Sequence, residues 1–302
     1  MEKIPYYSLN NYLKELFGCK VLKLSLDAGC TCPNRDGTLG TRGCIFCSEG
    51  GSGDFAADRS LSIGEQIKAA KELQRKKNPK NAPVKYIAYF QAYTNTYGEL
   101  CKLKEKYLEA MDDPEVCCLS IATRPDCLEE DKLKLLAELN KIKPVWVELG
   151  LQTIHPHSSE YIRRGYDNFV YDDAVGKLTD LGIEVITHVI LGLPRETKED
   201  MLKTVEYVAK SSSKGIKLQL LHVLKNTDLY EDYKKGLFEA LSLDEYVDIV
   251  CDAIKLLPRD MVVHRLTGDG DKKILVAPLW SADKKRVLNT FAERLEPIHK
   301  TW

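Results

Sequence analysis

The sequence predicts an α/β fold: a partial (β/α)6 TIM-like barrel of parallel strands with a C-terminal α+β extension. Three observations predict it. Six apolar, β-type runs recur between residues 21 and 223, each separated from the next by a loop or a helical pattern. Strands alternating with helices read as βαβ units in a parallel sheet. Six units in a chain of 302 residues suit a partial barrel, because a closed eight-stranded one typically takes about 250 residues. Beyond residue 236 the rhythm changes.

An amphipathic opening (Leu9, Leu13, Leu16, Phe17) precedes the first run, 21–26, whose apolar and polar residues alternate as a strand requires. A loop then extends from Asp27 to about Asp58, with glycines at 29, 37, 40, 43, 50, 51 and 53. Unstructured loops of such length are usually functional. Ile63, Ile67, Ala70 and Leu73 carry a helical period, and Val84–Phe90 is the second strand. Helices near 98–111, 129–142, 169–181 and 198–210 then alternate with strands near 116–122, 145–150, 183–191 and 216–223. The barrel is thus expected over 1–236, with its loop at 27–58, and the extension over 237–302. In the extension a helix at 243–257 stops before Pro258, short β-like runs cover Met261–Leu266 and Ile274–Val276, and a last helix spans about 282–295.

Composition narrows the function. With 44% hydrophobic residues, 29% charged residues and a net charge of −1, the chain exerts no global pull on nucleic acid or membrane. A polyanionic partner would need a local basic patch, and Arg75–Lys77 and Lys284–Arg286 read as solvated helix faces. The N-terminal residues contain no apolar stretch of signal-peptide length, and no run of about 18 apolar residues is present. A cytoplasmic location is therefore expected, without membrane contact, and its thiols would be kept reduced. Five of the ten cysteines, Cys19, Cys30, Cys32, Cys44 and Cys47, crowd into about thirty residues. That clustering points to a metal centre.

Cys44 and Cys47 are two residues apart, and Cys32 lies on a glycine-rich return that brings in a third thiolate. A structural zinc site closes with four ligands, and so does an ordinary iron–sulfur cluster. The fourth would have to be Cys30 or a distant histidine. A cluster on three thiolates leaves one iron open, and an open iron implies chemistry. Cys117 and Cys118, adjacent on a strand, face opposite ways and cannot share a site. Cys19, Cys101, Cys127 and Cys251 read as small core or surface thiols.

Cys44-Ile45-Phe46-Cys47 resembles the end of the radical S-adenosylmethionine (SAM) motif, in which three cysteines hold a [4Fe–4S] cluster and an aromatic precedes the last. The first spacing is eleven residues, where three is common; longer spacings occur in the Elongator-type tRNA-modifying enzymes. The resemblance makes Cys32, Cys44 and Cys47 the cluster ligands, adds Phe46 beside them, and leaves Cys30 a bystander. It also assigns strand ends to SAM. Gln91 and Tyr93 stand where the superfamily has a glycine-rich turn. Thr123 and Arg124 belong to Ala122-Thr-Arg-Pro-Asp126, similar to the Elongator-type Glu-Thr-Arg-Pro-Asp turn. Glu148, Gln152 and Arg164 match the Glu-Leu-Gly-Val-Gln and Arg-Gly pattern, which implies ribose and carboxylate contacts for Gln152 and Arg164. His188 stands on the strand that ends in Gly192-Leu193-Pro194, which is similar to the Gly-Leu-Pro turn that lies along the adenine in the family.

Nearly the whole chain resembles the MnmL-type (YtqA/YhcC) radical SAM family. The resemblance is carried by Asp27-Ala28-Gly29, Cys32–Gly37, Tyr89–Thr96, Ala122–Asp126, His264–Asp269 and Ala277–Trp280. It implies conversion of a 5-carboxymethylaminomethyl to a 5-aminomethyl group on tRNA wobble uridine. The partners would be tRNA and a reductant such as flavodoxin or ferredoxin, with oligomeric state undetermined. His222, Lys225 and Arg265 are the expected substrate contacts. The pattern sets the chain apart from Elongator enzymes, which carry an acetyltransferase domain, and from methylthiotransferases, which carry an extra N-terminal cysteine domain. Two other readings stay open: a radical SAM enzyme acting on a small metabolite or tetrapyrrole, and a non-catalytic metal-binding interaction protein.

Overall fold

The computed structural model describes residues 5–51, 53, 55–77, 83–268 and 270–299. Asp269 lies outside them, as do the side chains of Lys76 and Lys77. Helix α1 (Leu9–Phe17) starts at Ser8, whose hydroxyl accepts from the Asn11 amide at 3.3 Å, and stops at Gly18 with φ 69°. That left-handed stop suits glycine. Strand β1 (Lys20–Leu26) leads into the long loop, and α2 (Ile63–Lys77) returns the chain to β2 (Val84–Phe90). The alternation continues through α3 (Leu100–Asp112), β3 (Val116–Thr123), α4 (Glu130–Asn140) and β4 (Val145–Gln152). Two helices, α5 (Pro156–Tyr161) and α6 (Asn168–Asp180), precede β5 (Glu184–Leu191). Then come α7 (Lys198–Ala209), β6 (Gly215–Leu220), β7 (Val223–Leu224), α8 (Asp228–Lys234) and α9 (Leu243–Leu256). β8 (Val262–Arg265), β9 (Leu275–Ala277) and α10 (Lys284–His299) complete the chain.

The main sheet has seven strands in the order β1-β2-β3-β4-β5-β6-β8, every neighbouring pair parallel. This corrects the expected six. The short run near 262, assigned to the extension, docks beside β6 because β6 would otherwise present an unpaired edge. The run 216–223 is also divided. β6 ends at Leu220, and Val223–Leu224 pairs antiparallel with β9 in a separate two-stranded sheet. Helices α5 and α8, six and seven residues long, are too short to establish a period in sequence.

Alternation along the strands produces two apolar layers. Leu24, Phe90, Leu119, Val147, Val189 and Leu218 pack outward against the helices. Ile87, Cys118, Trp146 and Ile186 face the lumen at its amino end, where Leu13 of α1 packs among them. Tyr12 stacks on Trp146 at 5.9 Å and donates its hydroxyl hydrogen to the Glu184 carboxylate. Helix α1 therefore plugs one end of the barrel. The carboxyl ends of the strands are left for the long loop. Among the described residues no helix is long and apolar enough to cross a membrane.

Candidate functional site

The carboxyl ends of the strands and the long loop enclose a cavity of about 200 Å³, and Cys32, Cys44 and Cys47 all line it. The loop holds them through tight turns: the Cys32 carbonyl accepts from the Arg35 amide at 2.8 Å, and the Cys44 carbonyl from the Cys47 amide at 3.0 Å. The Asn34 amide group donates to the Arg163 carbonyl at 2.7 Å and stands 3.5 Å from the Cys44 sulfur. Arg35 donates to the carbonyls of Cys47 and Ser48 and lies over the Tyr93 ring. Burial and the neighbouring Cys47 push the Cys44 thiol up to about 12, so a thiolate there calls for a cationic partner. Among the described residues no three Cys, His, Asp or Glu side chains close on a single ion. The three thiols stand instead around a space. Cys30 is not in that lining: it is buried in the outer core, and burial pushes its thiol up to about 11.

The strand ends supply the remaining wall. Tyr93 is held at φ 59°, its amide bonded to the Gly51 carbonyl at 2.8 Å. Gly51 is itself at φ 60°, and a Cβ there would run into the Tyr93 ring. Thr123 shares a 2.6 Å hydrogen bond with Thr96. Arg124 grips Asp126 through two bonds of 2.9 and 2.7 Å and lies over Tyr166. Gln152 sits at φ 62°, with its side-chain oxygen buried and without a hydrogen-bond partner among the described residues. Strained conformations and orphaned acceptors gather where a ligand or a chemical step accounts for them. Arg164 lines the cavity too, but its donors are committed to the carbonyls of Leu151, Thr153 and Tyr166 and to Asn168. It braces the end of β4 that carries Gln152.

Beneath lies a charged floor. Glu148 accepts from Ser120 at 2.7 Å and Lys23 at 2.9 Å on one oxygen, and from His188 at 2.7 Å and Lys217 on the other. Burial alone would raise its pKa; Lys217, Lys23 and His188 outweigh that and hold it well below the usual carboxylate range. Burial and Lys217 push His188 down to about 4, so the imidazole is neutral near pH 7. Lys217 also reaches the Tyr89 hydroxyl at 3.2 Å.

A second cavity of about 810 Å³ adjoins the first, and Phe46, Gln91, Ile190, Gln219 and Arg265 line both. His222 lines this larger space, 3.1 Å from Ser281. Two expected residues stay away. Gly192, at φ 92° beside Leu241, turns the chain after β5 outside both linings. Lys225 is solvent-exposed beyond β7 and lines neither cavity. Sequence reasoning passed over Lys23, Arg35, Tyr89, Tyr166, Lys217 and Gln219. A signal existed for three: Lys23, Lys217 and Gln219 occupy the polar half of an alternating strand, and the polar half faces the lumen.

Two family models match the chain: the Radical SAM superfamily over residues 37–208 and the Radical SAM C-terminal domain over residues 213–297. The chain is 45% identical over 291 residues to protein YtqA of Bacillus subtilis (strain 168), covering 96% of this chain and 89% of that one. It is 27% identical over 179 residues to the tRNA uridine(34) acetyltransferase of Methanocaldococcus jannaschii, covering 58% of this chain and 32% of that protein. The solved structure of archaeal Methanocaldococcus infernus Elp3 has the same fold, with a TM-score of 0.67 at 19% identity. That likeness covers 91% of this chain and 63% of the other, so the Elp3 chain extends well beyond it.

Proposed function

The chain belongs to the radical SAM superfamily, and from that membership we propose an enzyme that holds a [4Fe–4S] cluster on Cys32, Cys44 and Cys47, binds SAM against it and modifies the wobble uridine of tRNA. The observation that carries the reading is the single cavity in which three thiols meet the orphaned oxygen of Gln152. Three thiolates around a space suit a cluster with an open iron better than one tetrahedral ion. When bound, the cluster and SAM together supply a 5′-deoxyadenosyl radical that abstracts hydrogen from the substrate.

The chain's own residues bind, orient and seclude. Asn34 and Arg35 fix the cysteine loop against the Arg163 and Cys47 backbone. Gln152, presented by the strained end of β4, accepts a donor from SAM, while Arg164 keeps that end in place. Tyr93, Thr123 and Arg124 form the wall beside it. Phe46 separates this space from the larger one, which receives the substrate. Arg265 and His222 contact the substrate there. A tRNA substrate is supported by the name of the M. jannaschii relative, a tRNA uridine(34) acetyltransferase. The reaction we assign converts a 5-carboxymethylaminomethyl to a 5-aminomethyl group. The carboxymethyl carbon beside the nitrogen is oxidised to an imine, with SAM as the two-electron oxidant, consumed to methionine and 5′-deoxyadenosine. Water then cleaves the C=N bond and releases the two-carbon unit as glyoxylate. A flavodoxin or ferredoxin primes the cluster with one electron.

Anaerobic reconstitution tests the chemistry. The coloured protein is expected to yield 5′-deoxyadenosine from SAM with dithionite, and Cys47→Ala to abolish the yield; a Cys47→Ala protein that still cleaved SAM would remove the ligand assignment. Nucleoside mass spectrometry of tRNA from a strain lacking the gene tests the substrate. Accumulated carboxymethylaminomethyl uridine is expected, and an unchanged level would overturn the tRNA reading alone.

A further inference from the structure

We propose that the wall shared by the two cavities is a binding slot for a uracil ring. The carboxamides of Gln91 and Gln219 read its imide edge, and Phe46 and Ile190 cover one of its faces. The proposal rests on the reading that the larger cavity receives a nucleoside substrate. Five residues line both cavities; two are carboxamides and two are apolar. Their position follows from the strands. Lys217 of β6 donates to the Tyr89 hydroxyl of β2 at 3.2 Å, so these two side chains meet across the lumen although three strands lie between them. Gln91 and Gln219 each stand two residues further on, and a period of two keeps them on the same face. The Gln91 amide continues the ladder past β2 by bonding the Leu26 carbonyl at 3.3 Å. Both glutamines therefore enter the lumen one pleat above the Tyr89–Lys217 contact.

Hydrogen bonding decides what the slot accepts. Neither carboxamide has a hydrogen-bond partner among the described residues, and both side chains are half-buried and open on the cavities. Polar groups held away from water without partners are costly, and a ligand that pairs them recovers the loss. A carboxamide shows a carbonyl acceptor beside an N–H donor. Its complement is a ligand with a donor beside an acceptor, the arrangement of a cis-amide. A carboxylate or phosphate, which only accepts, would leave both glutamine carbonyls unpaired. Uracil carries an N–H flanked by two carbonyls. One carboxamide pairs that N–H and one carbonyl, and the other donates to the second carbonyl. Tyr93, expected beside Gln91 at the SAM turn, lines the smaller cavity and not the larger; Gln91 lines both and so reaches the substrate side.

The apolar pair supplies the face. Ile190, 9% exposed, is the register neighbour of Gln219 across β5 and β6. Phe46 packs against the same apolar cluster as Ile190. A flat ring stacked on an aromatic side chain, with its edge hydrogen-bonded, is how proteins hold a base outside a helix. The floor beneath, where Glu148 takes four donors, is already paired, and a neutral ring asks no charge of it. Fixing the imide edge also fixes the rotation of the ring, and with it the direction of the 5-substituent. Gln91 and Gln219 are thus specificity-determining residues that aim the reacting carbon.

Saturation-transfer NMR with free nucleosides on the reconstituted full-length protein tests this without tRNA. Uridine is expected to bind, and 3-methyluridine, whose imide donor is blocked, to bind about tenfold more weakly. With Gln91→Leu and Gln219→Leu combined, uridine is expected to fall to the level of 3-methyluridine, so that the difference between the two disappears. Thermal melting checks that the variant is folded. A merely structural role would weaken both nucleosides together and leave their ratio intact, which would overturn the proposal. Equal binding of the two by the parent, or no binding of uridine, would overturn it without any variant. Tighter binding of guanosine or cytidine than of uridine would overturn the uracil assignment. If the wobble-uridine reading failed, the nucleoside profile of tRNA would show it while the discrimination against 3-methyluridine remained. If only this proposal failed, the profile would change as expected and the discrimination would be absent or would survive the double substitution.

Discussion

Four donors converge on the Glu148 carboxylate, and they keep it ionised next to a histidine that stays neutral. His188 faces Glu148, Lys217 and Arg265, and its pKa falls from 6.5 to about 4. Between those values the unfolded chain binds the proton and the folded chain does not. Stability is therefore present above the unfolded pKa and is lost as pH falls through this window, by up to about 3 kcal/mol from this one group. Glu148, held low, adds a loss of the same sign at still lower pH. Urea unfolding at about pH 7.5 and about pH 5 is expected to show a smaller loss in His188→Gln than in the parent. Equal losses would remove this account. Sequence reading located both residues at strand ends, where the resemblance assigned them to SAM, and both line the smaller cavity. The lysines that claim Glu148 come from β1 and β6, 125 and 69 residues away, and no local pattern announces such a pairing.

Helix α1 shows what an element can and cannot reveal before folding. Its apolar residues were legible as an amphipathic opening, but amphipathicity names a buried face without naming its partner. The partner is the lumen layer of Ile87, Cys118, Trp146 and Ile186. Leu13, 5% exposed, fills the centre of that contact. Leu13→Ala is expected to cost about 3 kcal/mol, read as a lower midpoint in chemical denaturation with an unchanged slope. A loss under about 0.5 kcal/mol, the size of a surface change, would mean the plug is not packed. The longer helices and strands were legible because their periods repeat several times. α5 and α8 repeat too little, and β7 has two residues.

Across the whole molecule, two cavities share a wall that includes Phe46, whose ring packs against a small apolar cluster with Ile45, Ile162 and Ile190. Phe46→Ala opens one space into the other and admits water. On the proposed chemistry the variant is expected to form several-fold more 5′-deoxyadenosine per modified uridine than the parent. An unchanged ratio would show that Phe46 does not seclude the reaction.

The sequence by itself determined the parallel α/β architecture, because hydrophobic periodicity is a local property of the chain. It also brought out the cysteine loop and most of the strand-end residues around it, because their order along the chain matches the order of strands in the sheet. Only the tertiary structure decided the seventh strand, the distance of Gly192 and Lys225 from the cavities, and the meeting of Lys23 and Lys217 on Glu148. These depend on which edges meet and on charges brought together from opposite ends of the chain. A lysine in an alternating strand looks solvated until the barrel curves and turns its polar face inward.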